Sequence, residues 1–510
     1  MPLSGLRGSS MEIIEAPFPF VTLSIAVPAL FALGVLYLSQ KHVKILGVLG
    51  SLITFFISLI VLYLFDYSRA GSVQFYEEYL ILEELGVKLS LGIDGLSLIM
   101  YLLTTLVSLV AILWSIRDHQ ISTRLREYFF AFLLSESFLI GVFTSFDLIV
   151  FFVFYELTLL PMFFAIGIWG YKLRLYSAYK FFIYIFVSSL FLLLGVATAV
   201  VLNYQKTGSF SFSYFDLLKA DFSGTAGLLL FVLFFIAFAV KTPLVPFHTW
   251  LPDAHGEAPT AGSVVLAAIL LKMGTYALVR FNIGLFPEAT LKLMPYLVSI
   301  GIITILYASW MTIVQNNVKR FVAYSSVSHM GFIVTAMFLL NREGMKASVI
   351  EMFAHGMTSA SLFMIAGFIY NRLHTFNMNS LRGSVKFMPL FAVIVALTAF
   401  ASMGLPGGSS FWGKFLTVLS AKEYGTKLAL LVLGGAFFSA AYVLYMLKTL
   451  FLDVREESIL IHFTDIRGYK LLSFLLLLIP ILLIGFFPHL FFGMFVEATD
   501  LILKRFINLG

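Results

Sequence analysis

Apolar runs long enough to cross a bilayer recur from one end of this 510-residue chain to the other. A spanning helix needs about 20 apolar residues. In hydrocarbon, every backbone polar group of such a segment must be satisfied internally. The pattern therefore predicts an all-α integral membrane protein of about 14 transmembrane helices. The expected spans are 17–39, 43–65, 94–116, 127–145, 147–169, 176–203, 226–247, 259–281, 294–314, 318–340, 346–371, 388–420, 426–450 and 470–494. Charge usage agrees: 12% of residues are charged, where soluble domains carry about 25%.

The connections divide into short turns and two longer pieces. Residues 66–93 carry Glu77, Glu78, Glu83 and Glu84 and suit short strands or an amphipathic element; 451–469 suits a helix lying on the surface. Residues 1–16 read as a polar lead without a signal-peptide pattern, with a start at either Met1 or Met11. Basic residues concentrate in loops after odd-numbered helices, among them Lys41, Lys44, Arg117, Arg174, Lys319 and Arg320. The positive-inside rule then places those loops in the cytoplasm and both termini outside. The net charge of +6 is spread along the chain, which fits topology and gives no reason to expect nucleic acid.

Two spans are interrupted. The seventh holds Pro243 and Pro246 just after Lys241, in "FAVKTPLVP", and the twelfth holds Pro406 and Gly407 in "GLPGGSSFWGKF", followed by Lys414. Broken helices in corresponding positions of two halves mark transporters built from repeats, although packing kinks would look the same. The spacing of five spans predicts inverted five-helix repeats over helices 4–8 and 9–13. That divides the chain into 1–126 (helices 1–3), 127–282, 283–450 and a final 451–510 segment with helix 14.

Several ionisable residues lie deep in predicted helices: Glu136, Glu156, Lys241, Lys272 and Lys414, with His329 and His355. A lysine at the bilayer centre costs roughly 2.5–3.5 kcal/mol. These groups should therefore face the bundle interior, pair, or line a hydrated path. Structural readings stand beside the functional one: Glu136 as a helix-packing hydrogen-bonder, His329 as a satisfied interior histidine, Lys272 snorkelling to an interface. Lys241 fits such a reading least, since four apolar turns precede it and a break follows. His248, Asp253, His255 and Glu257 in "FHTWLPDAHGEAPTAGS" include metal-ligand types, but their spacing matches no ligand motif and reads as a cytoplasmic turn. The chain has no cysteine, which excludes disulfides and cysteine-ligated clusters within it. No phosphate loop or dinucleotide fingerprint is present.

The stretch 238–281, from "FAVKTPLVPFHTWLPDAH" to "LLKMGTYALVRF", resembles the signature of the antiporter-like subunits of respiratory complex I, Mrp sodium/proton antiporters and membrane-bound hydrogenases. "GIDGLSL", "YELTLLPMFF", "KRFVAYSSVSHMGF" and "GLPGGSSFWGKF" follow the same family order, so the resemblance spans nearly the whole chain, with the flavour of an M-type (chain 4) or Mrp D subunit. It implies a proton-translocating subunit of a redox-driven complex, with or without coupling to sodium. The alternative it implies is an Mrp D-type antiporter subunit without redox activity. By the same resemblance, Glu156 would pair with Lys241, Lys272 would be the central lysine linked through His329 and His355, and Lys414 would be the terminal exchanging group. Glu136 matches a recurrent helix-4 glutamate. Iron–sulfur clusters, with nickel–iron or flavin, are expected only in partner subunits and no cofactor in this chain. The implied partners are other membrane subunits, a peripheral redox module and the lipid of the cytoplasmic membrane. Two departures stand out: M-type subunits usually carry glutamate where this chain has Lys414, which favours an Mrp-like or hydrogenase-like relative, and Asn317 replaces a common aspartate.

Overall fold

The computed structural model describes residues 11–118, 120–452 and 463–507. Thirteen helices among the described residues are long and apolar enough to cross a membrane. In chain order they begin with α1 (Phe20–Tyr37), α2 (Gln40–Leu64), α3 (Gly95–Ser115), α4 (Leu125–Thr144), α5 (Leu148–Trp169) and α6 (Arg174–Thr207). Next, α7 is broken into Gly224–Lys241 and a short second half, Trp250–Glu257. Then come α8 (Thr260–Ile283), α9 (Pro287–Ile313), α10 (Val318–Phe338) and α11 (Arg342–Leu373). The twelfth, α12, is also two halves, Pro389–Met403 and Ser409–Lys422, each too short to span alone. It completes the 14 expected spans together with α13 (Thr426–Phe451) and α14 (Gly468–Phe486). A further helix that the sequence reading did not anticipate, α15 (Pro488–Ile507), packs against α3 and α11. The connection expected to hold a surface helix lies partly outside the described residues, at 453–462, as does Met1.

The acidic connection 66–93 is a hairpin. A parallel strand β1 (Ile13–Glu15) lies beside β2 (Val73–Leu82), which pairs antiparallel with β3 (Val87–Ile93). Its buried Glu77 accepts the backbone N–H of Val21 at 2.9 Å and of Thr22 at 3.1 Å. These are orphan donors of the first turn of α1, so the carboxylate ties the hairpin to the bundle.

Burial sorts the helices into an inner and an outer set. The most apolar windows of α3, α8, α10 and α11 are wholly buried, whereas only 28% of that of α1 and 33% of those of α2 and α13 are. Hydropathy does not separate the two sets; neighbours do. Three of these inner helices, α8, α10 and α11, nevertheless hold ionisable side chains in their buried spans, among them Lys272, His329, Glu351 and His355. One buried pair clamps two of the inner helices: Arg280 of α8 donates to both oxygens of Asp94 at 2.6 and 2.7 Å, and the same carboxylate caps α3 through Ser97 N–H at 2.9 Å. Neither side chain is more than 1% exposed.

Candidate functional site

Each expected break occurs, and each has a local cause. The α7 helix stops at Lys241 because Pro243 and Pro246 have no N–H to continue the ladder. The chain turns through 242–249, and the freed carbonyl of Val240 accepts the indole N–H of Trp250 at 2.9 Å. "WLPDAHGE" is consequently the second half of a helix and not the turn expected from sequence. Its acidic and histidine side chains diverge: Asp253 pairs with Lys180 at 2.6 Å and Arg320 at 2.7 Å, while Glu257 accepts Leu173 N–H at 2.9 Å. Among the described residues no group of three or more His, Asp or Glu could hold a metal. Lys319, counted above as a loop residue, is buried in the first turn of α10 and donates to the carbonyl of Ala258. Asn317 caps the same helix, accepting from Lys319 N–H at 2.9 Å and Arg320 N–H at 3.2 Å. An amide there supplies the cap acceptor that aspartate would.

Lys241 is fully buried and its ammonium has no hydrogen-bond partner among the described residues. What it has is the ring of Tyr155, whose centroid is 4.9 Å away. Glu156, on the next residue of α5, is half-buried with one carboxylate oxygen unpartnered. The two charges lie near enough to interact, but they make no contact ion pair. The expected Glu156–Lys241 pair is thus a neighbourhood and not a closed bridge. Glu136 is buried in α4 with both oxygens unpartnered and the Ser51 hydroxyl of α2 alongside. It lies among α1–α4 and joins no hydrogen bond with the other site residues.

Deeper in the bundle the groups touch. Lys272 stands between two π-helical segments of α8, Leu266–Leu270 and Leu278–Ile283. A π turn lengthens the hydrogen-bond step and leaves carbonyls free; Lys272 Nζ donates to one of them, Ala267 O, at 2.7 Å. The same ammonium is 2.7 Å from His355 Nδ1 on α11. The His355 and His329 rings stack at 4.9 Å with their planes 22° apart. His329 Nδ1 is then 2.8 Å from a carboxylate oxygen of Glu351. Glu351 was not singled out from sequence, although "EMFAH" places it four residues before His355 and hence on the same helix face.

Lys414 completes the row from the other side. It sits in the second half of α12 and reaches back to the first, donating to the carbonyls of Ser402 at 2.9 Å and Met403 at 3.1 Å, and to Ser439 of α13 at 2.6 Å. A cation at the open C-terminal end of a half-helix satisfies orphan carbonyls and meets the negative end of the dipole. Gly404, at φ +90°, makes the turn between the halves. Gly413 gives Glu351 its space: a Cβ there would lie 2.2 Å from the Glu351 carboxylate. Glu351 and Lys414 interact through space without an ion-pair contact.

Across the molecule, then, buried polar groups run from Glu156 and Lys241 through Lys272, His355, His329 and Glu351 to Lys414. Comparison with known proteins gives the chain its relatives. A family model described as "NADH:quinone oxidoreductase/Mrp antiporter, TM" matches residues 145–439, which hold every group in the row. NADH-quinone oxidoreductase subunit M of Rickettsia conorii is 36% identical over 96% of this chain and 99% of its own length. NADH-ubiquinone oxidoreductase chain 4 of Marchantia polymorpha is 39% identical over 94% of this chain and 96% of its own. Among solved structures, respiratory complex I from Thermus thermophilus contains a chain that superposes with a TM-score of 0.86 at 29% identity, covering 95% of this chain and 99% of that one. A lysine at 414 therefore occurs within a chain whose overall similarity is to M-type and chain 4 subunits.

Proposed function

This chain belongs to the NADH:quinone oxidoreductase/Mrp antiporter family, and from that premise we propose how it works: it is a proton-translocating membrane subunit of a multisubunit, redox-driven complex related to complex I, and the buried polar row is its path. One observation carries the reading. The Lys272–His355–His329–Glu351 contacts join groups that can each gain or lose a proton, within helices that are otherwise closed to water. Lys241 and Lys414, each beside a helix break, stand at the two ends.

In this reading a proton enters near the break in α7 and leaves near the break in α12. Burial favours the neutral form of an isolated lysine or carboxylate, and an opposite charge nearby restores the ionised form. Moving one partner of an unclosed Glu–Lys neighbourhood therefore changes whether its lysine holds a proton. Lys241, without a fixed acceptor, is the group freest to respond. Glu136 stands apart from the row and serves it at most electrostatically. The repeats 127–282 and 283–450 are proposed as the two half-channels, supported by a lysine and a break in each. The partners are proposed to be further membrane subunits and a peripheral module holding the electron carriers, in the cytoplasmic membrane.

Transport by the assembled complex in sealed vesicles tests the path. Lys241→Ala is expected to abolish proton uptake while the complex assembles normally; transport at the wild-type rate rejects it. A second reading, a gradient-driven antiporter, is favoured by Lys414, the lysine that resembles Mrp D subunits. Iron in the purified complex together with electron-transfer activity supports the redox reading. A complex free of iron that exchanges sodium for protons supports the other.

A further inference from the structure

Where α3 and α11 end and α14 begins, a cavity of about 320 Å³ opens. Arg117, Arg372, Arg467 and Lys470 line it, against one carboxylate, Asp465. That carboxylate is committed elsewhere: it accepts the backbone N–H of Leu390 at 2.8 Å, Phe391 at 3.1 Å and Ile466 at 2.7 Å, capping the first half of α12. Arg372 is committed too, donating to Phe368 O at 3.1 Å and Thr464 O at 2.7 Å. The other three cations make neither a hydrogen bond nor an ion pair among the described residues. Two rest on aromatic faces, Lys470 Nζ 5.0 Å from the Trp114 ring and Arg117 Cζ 5.6 Å from Tyr469.

Two donors add to this surplus. The buried indole N–H of Trp114 has no acceptor among the described residues. Among the described residues no side chain caps the N-terminus of α14, which leaves its first N–H groups without a side-chain acceptor, and Gly468 has open space where a Cβ would stand. Four cations around one committed carboxylate, with Asp118 acting on Lys470 through space, an unused indole donor and a bare helix N-terminus together leave room for an anion. Below the cavity, α14 exposes Tyr469, Leu472, Leu475, Ile479, Leu483 and Phe486. Their helical spacing draws one apolar stripe from the cavity into the hydrocarbon.

We propose that this cavity binds the phosphate headgroup of an anionic phospholipid, with its acyl chains along the stripe on α14. Basic pockets between membrane helices on the cytoplasmic side hold such headgroups, and the stripe supplies what a free phosphate would not need. The site is independent of the polar row.

The test titrates the delipidated whole complex with dioleoyl phosphatidylglycerol, dioleoyl phosphatidylcholine and inorganic phosphate, and counts bound lipid by native mass spectrometry. Phosphatidylglycerol affinity is expected to fall about fivefold for each cation removed in Arg467→Gln and in the double variant Arg467→Gln/Lys470→Gln, with phosphatidylcholine binding unchanged. Equal phosphatidylglycerol binding by wild type and both variants overturns the proposal. So does displacement of the lipid by inorganic phosphate at matched concentration, which would make this a site for a soluble anion. Loss of a partner subunit from the variants with lipid binding intact would assign the cations to an acidic protein segment instead. Should the double variant not assemble, Arg467→Gln alone, at an exposed side chain, decides the matter.

Discussion

A lysine in mid-membrane carries a penalty of roughly 2.5–3.5 kcal/mol, and each of the three here meets it differently. Lys272 has a carbonyl released by a π turn and a histidine nitrogen. Lys414 has two helix-end carbonyls and a serine hydroxyl. Lys241 has the face of Tyr155 and the charge of Glu156 nearby, with no hydrogen-bond acceptor among the described residues. The difference predicts different failures. Lys414→Ala leaves the carbonyls of Ser402 and Met403 without their donor, so the amount of assembled complex in membranes should fall along with transport. Lys241→Ala should leave assembly at the wild-type level on a native gel and remove transport alone. Glu351 offers a sharper test. Glu351→Gln keeps the side chain's shape and an oxygen for His329 but cannot carry the proton. Loss of a proton-transfer group costs about 10²-fold or more, so proton uptake should drop to around a hundredth with assembly unchanged. Wild-type uptake would remove Glu351 from the path.

Among the elements, the broken helices and the buried helices solve opposite problems. The α7 and α12 helices open their ladders at proline and glycine, and the freed groups are met by Trp250 in one case and Lys414 in the other. The inner helices α3 and α8 run without such a break, α8 loosening at its two π turns, and are held together by the two-point Arg280–Asp94 bridge. Removing one partner of a buried pair leaves the other charge uncompensated, at a cost of about 3–5 kcal/mol. Arg280→Ala is therefore expected to deplete the subunit from the membrane, measured by quantitative immunoblot. Arg280→Lys should rescue it poorly, because an ammonium cannot reproduce the two-point contact. Normal levels of both variants would show the clamp to be dispensable.

For the whole molecule, the charge bias of the loops predicts an orientation, and the lack of cysteine makes it easy to check. With a single introduced cysteine, Ser209→Cys in the loop after α6 should react with an impermeant maleimide added outside intact cells. Lys172→Cys, in the loop after α5, should react only in inverted vesicles; the reverse pattern would turn the protein over. What the sequence determined by itself was the class of solution: 14 spans, two of them broken, and a set of charges too costly to face lipid. Those follow from local physics, since length, hydropathy and proline act within a single helix. The hairpin at 66–93 was legible only as one of two options, because its pairing depends on strands meeting in space. Which charges touch was decided by tertiary structure alone. Arg280 and Asp94 are 186 residues apart, and nothing local to either names the other. Glu351 was readable as a helical neighbour of His355, yet only the clearance at Gly413 and the stacked histidines make it part of a row. Glu156 and Lys241 show the converse: the family resemblance named them as partners, and in the folded chain they interact through space without an ion-pair contact, because the distance between side chains on two helices is set by how the helices pack and not by either local sequence.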